Sequence, residues 1–469
     1  MDAVAVKTKT VKVSCCPKTF PCPTCGRLGR RKNRTPLTRQ VRSIAYKEIV
    51  VLDIEYAEYR AECECCKTFS SSPPGIDLRR RYDNKVRDAV LDRILEDKMN
   101  VQAVRVAMKR DFFLDLSEGF VYDCLHDQAA QLDMDEYRRW ACEEFSGTMC
   151  VDELHLGRYT LLLATDPVKD FPVGFALVAS NDQEHMQRFL KNLKNHGISP
   201  KVVITDGSNL YPKVLGELWP TADHQLCVFH VMQDLNRYVL DAVKRMRRKM
   251  AASGQKGRKR KRGRPTKKAQ RSASRKKKLS LKEKSHFVFK HRYLIVTRRE
   301  NMTKQQKKDL QTMLEYLPGL RTLRTFVDRI QTLFDAEQTE HQALCRRAAL
   351  VNCSEFQSVP ELANALEMLT PEKFKKMTAF LRRPKRSRIR TNNHVERTNR
   401  TLRYFEGVRY KWRERRNIVR FLLLAITRRW NARKQEAATT TKCKTTAKRG
   451  TAAANQRRSK DKSRKSLSG

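Results

Sequence analysis

The sequence has no apolar run approaching the roughly 20 residues that a bilayer crossing requires. Its longest candidate, Phe421 to Ile426, is far too short. The start, Met1-Asp2-Ala3-Val4, lacks the apolar segment of a secretion signal. Membrane and secreted classes are therefore not expected. Acid is also scarce, with 51 Asp and Glu against 99 Lys and Arg and a formal net charge of +48. That imbalance excludes an acidic enzyme acting on small anions alone, and it attracts polyanions, nucleic acid foremost. Without a secretion signal, the 14 Cys are read in a reducing compartment, where disulfides are rare.

The charge is uneven. Residues 244–284 carry 21 basic residues and one acid, and residues 434–469 carry 11 and two. Residues 250–285 are rich in Lys, Arg, Ser and Gly and cannot bury enough apolar surface to order themselves. The same holds for the tail after about residue 434. The basic insert contains Arg262-Gly263-Arg264-Pro265, which looks like the core of an AT-hook. An extended Arg-Gly-Arg fits a narrow A·T minor groove, and a nonspecific polycation on phosphate is the alternative.

Seven of the Cys fall before residue 67. Cys22-Pro23-Thr24-Cys25 forms one C-x-x-C pair, and Cys63 with Cys66 forms a second. Four thiolates on two knuckles suit tetrahedral zinc, and a strand-like insert (Ile49 to Tyr56) lies between them, as a zinc ribbon needs. Such zinc is structural and performs no chemistry. Cys65 offers an alternative to Cys66, at the cost of leaving one residue after Cys63. Ser70-Ser71-Ser72-Pro73-Pro74-Gly75 reads as a linker.

Residues 85–140 show helical periodicity: Val86, Val90 and Ile94, then Val101, Val104 and Met108, then Val121, Cys124, Leu125 and Gln128 after the candidate cap Ser117. Three short helices suit a helix-turn-helix. The third has no Lys or Arg, so a helical linker or dimerisation element is an equal reading. From residue 148 the pattern becomes strand-like over Thr148–Leu156, Tyr159–Thr165 and Phe171–Ala179. A helix is expected over Asp182 to His196, a buried strand before Asp206-Gly207, a helix over Leu210 to Leu218 and a strand over Gln225–Phe229. A helix from about His230 then runs into the basic segment. This order describes a mixed α/β sheet. Residues 286–382 read as all-helical. Further helices are expected over Thr391 to Phe405, ended by Gly407, and Ile418 to Trp430.

Three acids stand out. Asp152 and Asp206 lie on apolar strands, where a carboxylate is costly unless paired or metal-bound. Glu396 sits near the start of a helix. Together they would make a site for two divalent cations, Mg²⁺ by preference, able to serve phosphoryl transfer. Each also has a bland reading: a strand-ending turn at Asp206, an N-terminal helix charge at Glu396, and at Asp152 an ambiguity, since Glu153 points to the opposite face. Arg397, Arg400 and Arg403 follow at helical spacing, either to contact DNA or as a solvated face.

Val151-Asp152-Glu153-Leu154, Thr205-Asp206-Gly207-Ser208-Asn209-Leu210-Tyr211, Phe229-His230-Val231 and Asn393-His394-Val395-Glu396-Arg397-Thr398-Asn399-Arg400 resemble a DDE transposase of bacterial insertion sequences. With the Cys pattern in front, the nearest likeness is to the ISL-three group. The resemblance covers about residues 15–435 apart from the basic insert. It implies a multidomain α/β protein: a zinc ribbon (1–80), a helix-turn-helix-like domain (81–145) and a ribonuclease H-like mixed-sheet core (146–245 and 386–433). The core would be interrupted by a basic linker (246–285) and an all-helical insertion (286–385), and a basic tail (434–469) would follow. It implies Asp152, Asp206 and Glu396 as the Mg²⁺-binding catalytic triad and structural zinc on Cys22, Cys25, Cys63 and Cys66. The partners would be double-stranded terminal repeats and target DNA, engaged by a homodimer or larger assembly in the cytoplasm, associated with the nucleoid. Cys227 stands where the family often has an acid, and Cys227-Val228-Phe229-His230 resembles a C-x-x-H element of related transposases. The rivals are a non-enzymatic DNA-binding relic of a transposase and a structure-specific nuclease.

Overall fold

A computed structural model describes residues 7–61, 63–65, 68–255, 279–408, 414–428 and 430. Arg262, Gly263, Arg264 and Pro265 lie outside these residues, as does Cys66. The described chain divides into two compact units. The first takes the residues up to Tyr137, His155–Arg158 and those from Arg400, and the second takes Arg138–Leu154 and Tyr159–Asn399. Among the described residues no helix is long and apolar enough to cross a membrane.

In the first unit, β1 (Lys7–Cys15) runs parallel to β5 (Glu48–Tyr56), which pairs antiparallel with β4 (Leu37–Ala45). A second sheet has the order β2 (Thr19–Pro21), β3 (Leu28–Arg31), β6 (Glu58–Arg60), β7 (Thr68–Ser70). Its small core gathers Cys22, Ala57, Tyr59 and Phe69, with Tyr59 and Phe69 stacked at 5.8 Å. The segment expected to be a linker packs instead. Ser71 is fully buried, and its hydroxyl accepts from Ala57 N and donates to Cys15 O. A buried hydroxyl with both roles filled holds the chain to the sheet.

Three helices follow: α1 (Asn84–Leu95), α2 (Val101–Phe112) and α3 (Glu118–Ala130). Each opens on a capping side chain: Asp83 accepts from Val86 N, Asn100 from Ala103 N and Ser117 from Phe120 N. Val86, Val90, Ile94, Val104, Met108, Val121 and Cys124 meet in one core, together with Phe405, Phe421 and Leu424. Helix α4 (Met134–Glu144) comes next in the chain.

That unit holds a five-stranded mixed sheet ordered β10 (Phe171–Val178), β9 (Tyr159–Asp166), β8 (Thr148–Leu156), β11 (Val202–Thr205), β12 (Asp223–Leu226). Strands β8, β11 and β12 are mutually parallel, and β9 and β10 are antiparallel. Helix α5 (Gln183–Asn195) buries Met186, Phe189, Leu190 and Leu193, the spacing of one helical face. These pack with Met149, Val151 and Val203 of the sheet and with Tyr211, Val214 and Leu215 at α6 (Pro212–Leu218).

Strand β12 ends at Leu226 and α7 (Val228–Gln255) begins two residues later, so Cys227 is the junction rather than the middle of a strand. Phe229, expected to be in the strand, is half-exposed on the helix. Beyond the basic insert come seven helices: α8 (Leu281–His291), α9 (Lys304–Tyr316), α10 (Leu320–Leu333), α11 (Glu340–Val351), α12 (Ser354–Gln357), α13 (Pro360–Glu367) and α14 (Pro371–Met377). Their apolar faces share a core with α7. Arg324 is buried there, and its guanidinium donates to the carbonyls of Leu294, Ile295 and Thr297 and pairs with Asp328. Those partners offset the cost of burying its charge. Finally α15 (Asn393–Val408) continues through Gly407, past the expected end.

Candidate active site

The parallel register sets the first two acids side by side. Ile204 of β11 is paired with Cys150 of β8. Counting two residues on along each strand brings Asp206 level with Asp152, both on the face opposite Val151 and Val203. Thr205 is paired with Leu226 of β12, and Cys227 N donates to Thr205 O at 2.8 Å, so Cys227 stands next to Asp206. Gly207, at φ +99°, turns the chain away directly after Asp206, a conformation that favours glycine. Asp206 Oδ1 accepts from Ser208 N at 2.9 Å.

Glu396 arrives from a remote stretch that is tied to the same strand ends. Asn392 Nδ2 donates to Val151 O (3.1 Å), and Asn392 N donates to Cys227 Sγ (3.2 Å). Val228 N donates to Arg390 O (2.8 Å). One turn beyond Glu396 on α15, Asn399 Nδ2 donates to Asp152 Oδ2 (2.8 Å). His394 Nε2 lies 2.7 Å from Asp170 Oδ1, and Arg397 pairs with Asp170 at 3.6 Å. Arg397, Arg400 and Arg403 are all exposed. Asn392 and Asn399 escaped the sequence reading. The available signal was their position, since Asn399 lies three residues after Glu396 and shares its helical face.

The two acids of β8 take different roles. Glu153 faces the apolar side and accepts from the Tyr211 hydroxyl and Asn181 Nδ2. Asp152 faces α15. Burial pushes its carboxyl up to about 7, and the charges of Glu153 and Asp206 push the same way, against hydrogen bonds that include the one from Asn399. A fully buried acid nearby in sequence, Asp166, shows what a structural carboxylate looks like. It accepts from Ser146 N, Ser146 Oγ, Val168 N and Lys169 N. Asp152 has no such saturation, and the influences that act on it most are burial, two acids and hydrogen bonds. Glu396 Oε1 is buried with no hydrogen-bond partner among the described residues, and His230 Nε2 lies 3.7 Å from it. The Cys227 sulfur beside His230, with the charges of Glu396 and Asp206, raises that imidazole to about 9 against the effect of burial. Among the described residues, the group that gathers ligand atoms around Glu396 within 4.8 Å of one another is formed with Cys227 and His230 rather than with the two aspartates.

The thiol cluster is separate and local. Cys22, Cys25, Cys63 and Cys65 place their sulfurs within 4.8 Å of one another. Cys65 Sγ is 3.0 Å from Cys63, 3.3 Å from Cys25 and 3.6 Å from Cys22. Tetrahedral zinc with Zn–S bonds of about 2.3 Å requires sulfurs about 3.8 Å apart, so this cluster could hold zinc after a small expansion. Among the described residues Cys65 fills the fourth place. Cys66, the expected ligand, lies outside them.

A family model described as a transposase, that of the ISL3 (ISL-three) group of DDE transposases, matches residues 149–421, more than half of the chain. The chain belongs to this family. The match takes in the five-stranded sheet, all the helices from α5 to α15, and the three acids. No curated protein matches the transposase. Membership accounts for the charge balance, since a transposase acts on DNA.

Proposed function

We propose that the protein is a metal-dependent DNA transposase that binds the terminal repeats of an insertion sequence, cuts DNA at the repeats and joins the freed ends to target DNA. The core around the mixed sheet is read as ribonuclease H-like, with Asp152, Asp206 and Glu396 as its catalytic acids. The observation that carries this reading is the parallel register of β8 and β11 together with the anchoring of Asn392 on both strand ends. That arrangement brings acids from three remote stretches toward one end of a sheet. A pair of divalent cations, Mg²⁺ by the all-oxygen donor set, would when bound supply the positive charge that phosphoryl transfer needs.

The chain's own residues supply position. Asp152 and Asp206 offer two carboxylates on neighbouring strands. Glu396 offers a third, held at the first turn of α15. Asn399 fixes the carboxylate plane of Asp152, as a supporting hydrogen bond to a ligand does. In the first step a water oxygen attacks phosphorus, the bond from phosphorus to the 3′ oxygen breaks, and a 3′-hydroxyl and a 5′-phosphate result. In the second, that 3′-hydroxyl attacks a target phosphodiester and releases one target strand end. No protein side chain need bond to DNA.

The zinc ribbon and the three-helix region are read as the parts that grip the repeats, in a homodimer or larger assembly. The Arg262-Gly263-Arg264-Pro265 segment and Arg397, Arg400 and Arg403 are read as DNA contacts. The test is incubation of the full-length protein with Mg²⁺ and DNA carrying matched ends. Cleavage by the native protein, lost in Asp206→Ala while binding is retained, is expected. Cleavage that persists in Asp206→Ala removes the proposed site, and binding without cleavage by the native protein favours a DNA-binding relic.

A further inference from the structure

Glu396 has a second set of neighbours that the triad does not use. Cys227, at the junction of β12 and α7, His230, in the first turn of α7, and Glu396 place one sulfur, one ring nitrogen and one carboxylate oxygen within 4.8 Å of one another. Cys227 is fully buried, and its sulfur accepts the backbone N–H of Asn392 at 3.2 Å. Glu396 Oε1 is a buried atom without a hydrogen-bond partner among the described residues, and His230 presents Nε2 to it at 3.7 Å. Buried polar atoms are rarely left so, and those left call for a missing partner. The two side chains remain about a third and a quarter exposed, at 32% and 27%, so an ion can reach them from solvent.

The donor set is decisive. Mg²⁺ takes oxygen and disfavours thiolate and imidazole, whereas zinc and its neighbours take sulfur, nitrogen and oxygen together. Tetrahedral zinc with bonds of about 2.0 to 2.3 Å sets its ligands about 3.3 to 3.8 Å apart. His230 Nε2 and Glu396 Oε1 already stand at 3.7 Å, and the rest of the cluster needs to close by at most about 1.3 Å. We propose that Cys227, His230 and Glu396 form a site for a thiophilic divalent ion of the zinc class, with a fourth position open. Binding releases the thiol proton to solvent. Because Glu396 is also read as a ligand of the Mg²⁺ site, the two occupancies compete. Zinc then shuts the cleft to strand cleavage. Only that last consequence rests on the proposed function; the binding site does not.

Full-length protein is titrated with Zn²⁺ in excess Mg²⁺, and bound zinc is counted by competition with a chromophoric chelator. Two ions per chain are expected, one of them on the N-terminal thiol cluster. Cys227→Ser and, independently, His230→Asn should each reduce the count to one. Should either variant misfold by circular dichroism, Co²⁺ replaces zinc in the native protein. A thiolate-to-Co²⁺ absorption band from a one-sulfur site, distinct from that of the four-thiolate site, is then expected. One ion in the native protein, two retained in both folded variants, or a Co²⁺ spectrum of the four-thiolate site alone overturns the proposal. Failure of the catalytic reading looks different: Asp206→Ala would still cut DNA, and the zinc count would not move.

Discussion

The thiol cluster and the sheet-end carboxylates are built by opposite routes. Cys22 and Cys65 are 43 residues apart, and two tight knuckles bring their sulfurs together. Asp152 and its partner Asn399 are 247 residues apart, and only the register of a mixed sheet and the docking of α15 join them. A locally encoded site fails by losing its ion. A site assembled from remote stretches fails by losing its scaffold, because each acid is placed by strands and loops that carry no chemistry themselves.

The largest effect should come from breaking the local site. Cys22→Ser, or strong chelation, should unfold the β2–β3–β6–β7 sheet, since structural zinc in small domains contributes about 10 kcal/mol or more to folding. Hydrogen exchange should show that loss confined to the first unit, and exchange spreading equally through the five-stranded sheet would contradict the separation of the two sites. Next in size, Asp206→Ala or Glu396→Gln should lower Mg²⁺-dependent cleavage by at least about a thousandfold with zinc binding at the thiol cluster unchanged. A loss of less than about tenfold in either variant breaks the comparison from the other side.

The scaffold carries its own acid sensitivity. His224 of β12 lies 2.9 Å from Thr205 Oγ1, and burial followed by the Lys376 charge lowers its imidazole from 6.5 to about 4. The unfolded chain therefore binds a proton between those values that the folded chain refuses. The stability is fully present above pH 6.5 and is lost as pH falls toward 4, by at most about 3 kcal/mol. Urea unfolding at pH 7 and pH 5 should show it, and His224→Gln should flatten the difference. An unchanged pH dependence in that variant removes the assignment. The smallest effect is expected at Asn399→Ala, where loss of the hydrogen bond to Asp152 should cost about ten- to a hundredfold in metal affinity or cleavage. The requirement for higher Mg²⁺ would separate this from misfolding.

Much of this was legible in the sequence where the signal is local. The apolar runs at Thr148–Leu156 and Phe171–Val178 become strands because β-branched and aromatic residues alternate with turn residues. Ser117 caps α3, as its position before an apolar periodicity suggested. The failures are equally local in cause. Gln225-Leu226-Cys227-Val228-Phe229 is one apolar run, so the break at Cys227 between strand and helix leaves no mark in composition. Strand β1 leaves little mark in the sequence because Lys recurs through it, although Val11, Val13 and Cys15 share its partly buried face. The Ser and Pro content of 70–75 concealed a buried Ser71. Which of Asp152 and Glu153 faces α15 is decided by the pairing register, and a single strand does not contain it. Asn392 and Asn399 have no motif of their own, because their roles exist only after α15 is docked.

The most direct measurement of convergence is a double-mutant cycle on Mn²⁺ affinity, read by electron paramagnetic resonance, with Mn²⁺ standing in for Mg²⁺. Asp152→Asn and Glu396→Gln should each weaken binding at the carboxylate site, and the combined variant should be weakened by less than the product of the two, as for residues that share one ion. Losses that multiply, or a Glu396→Gln protein that binds Mn²⁺ like the native one, would contradict a common site.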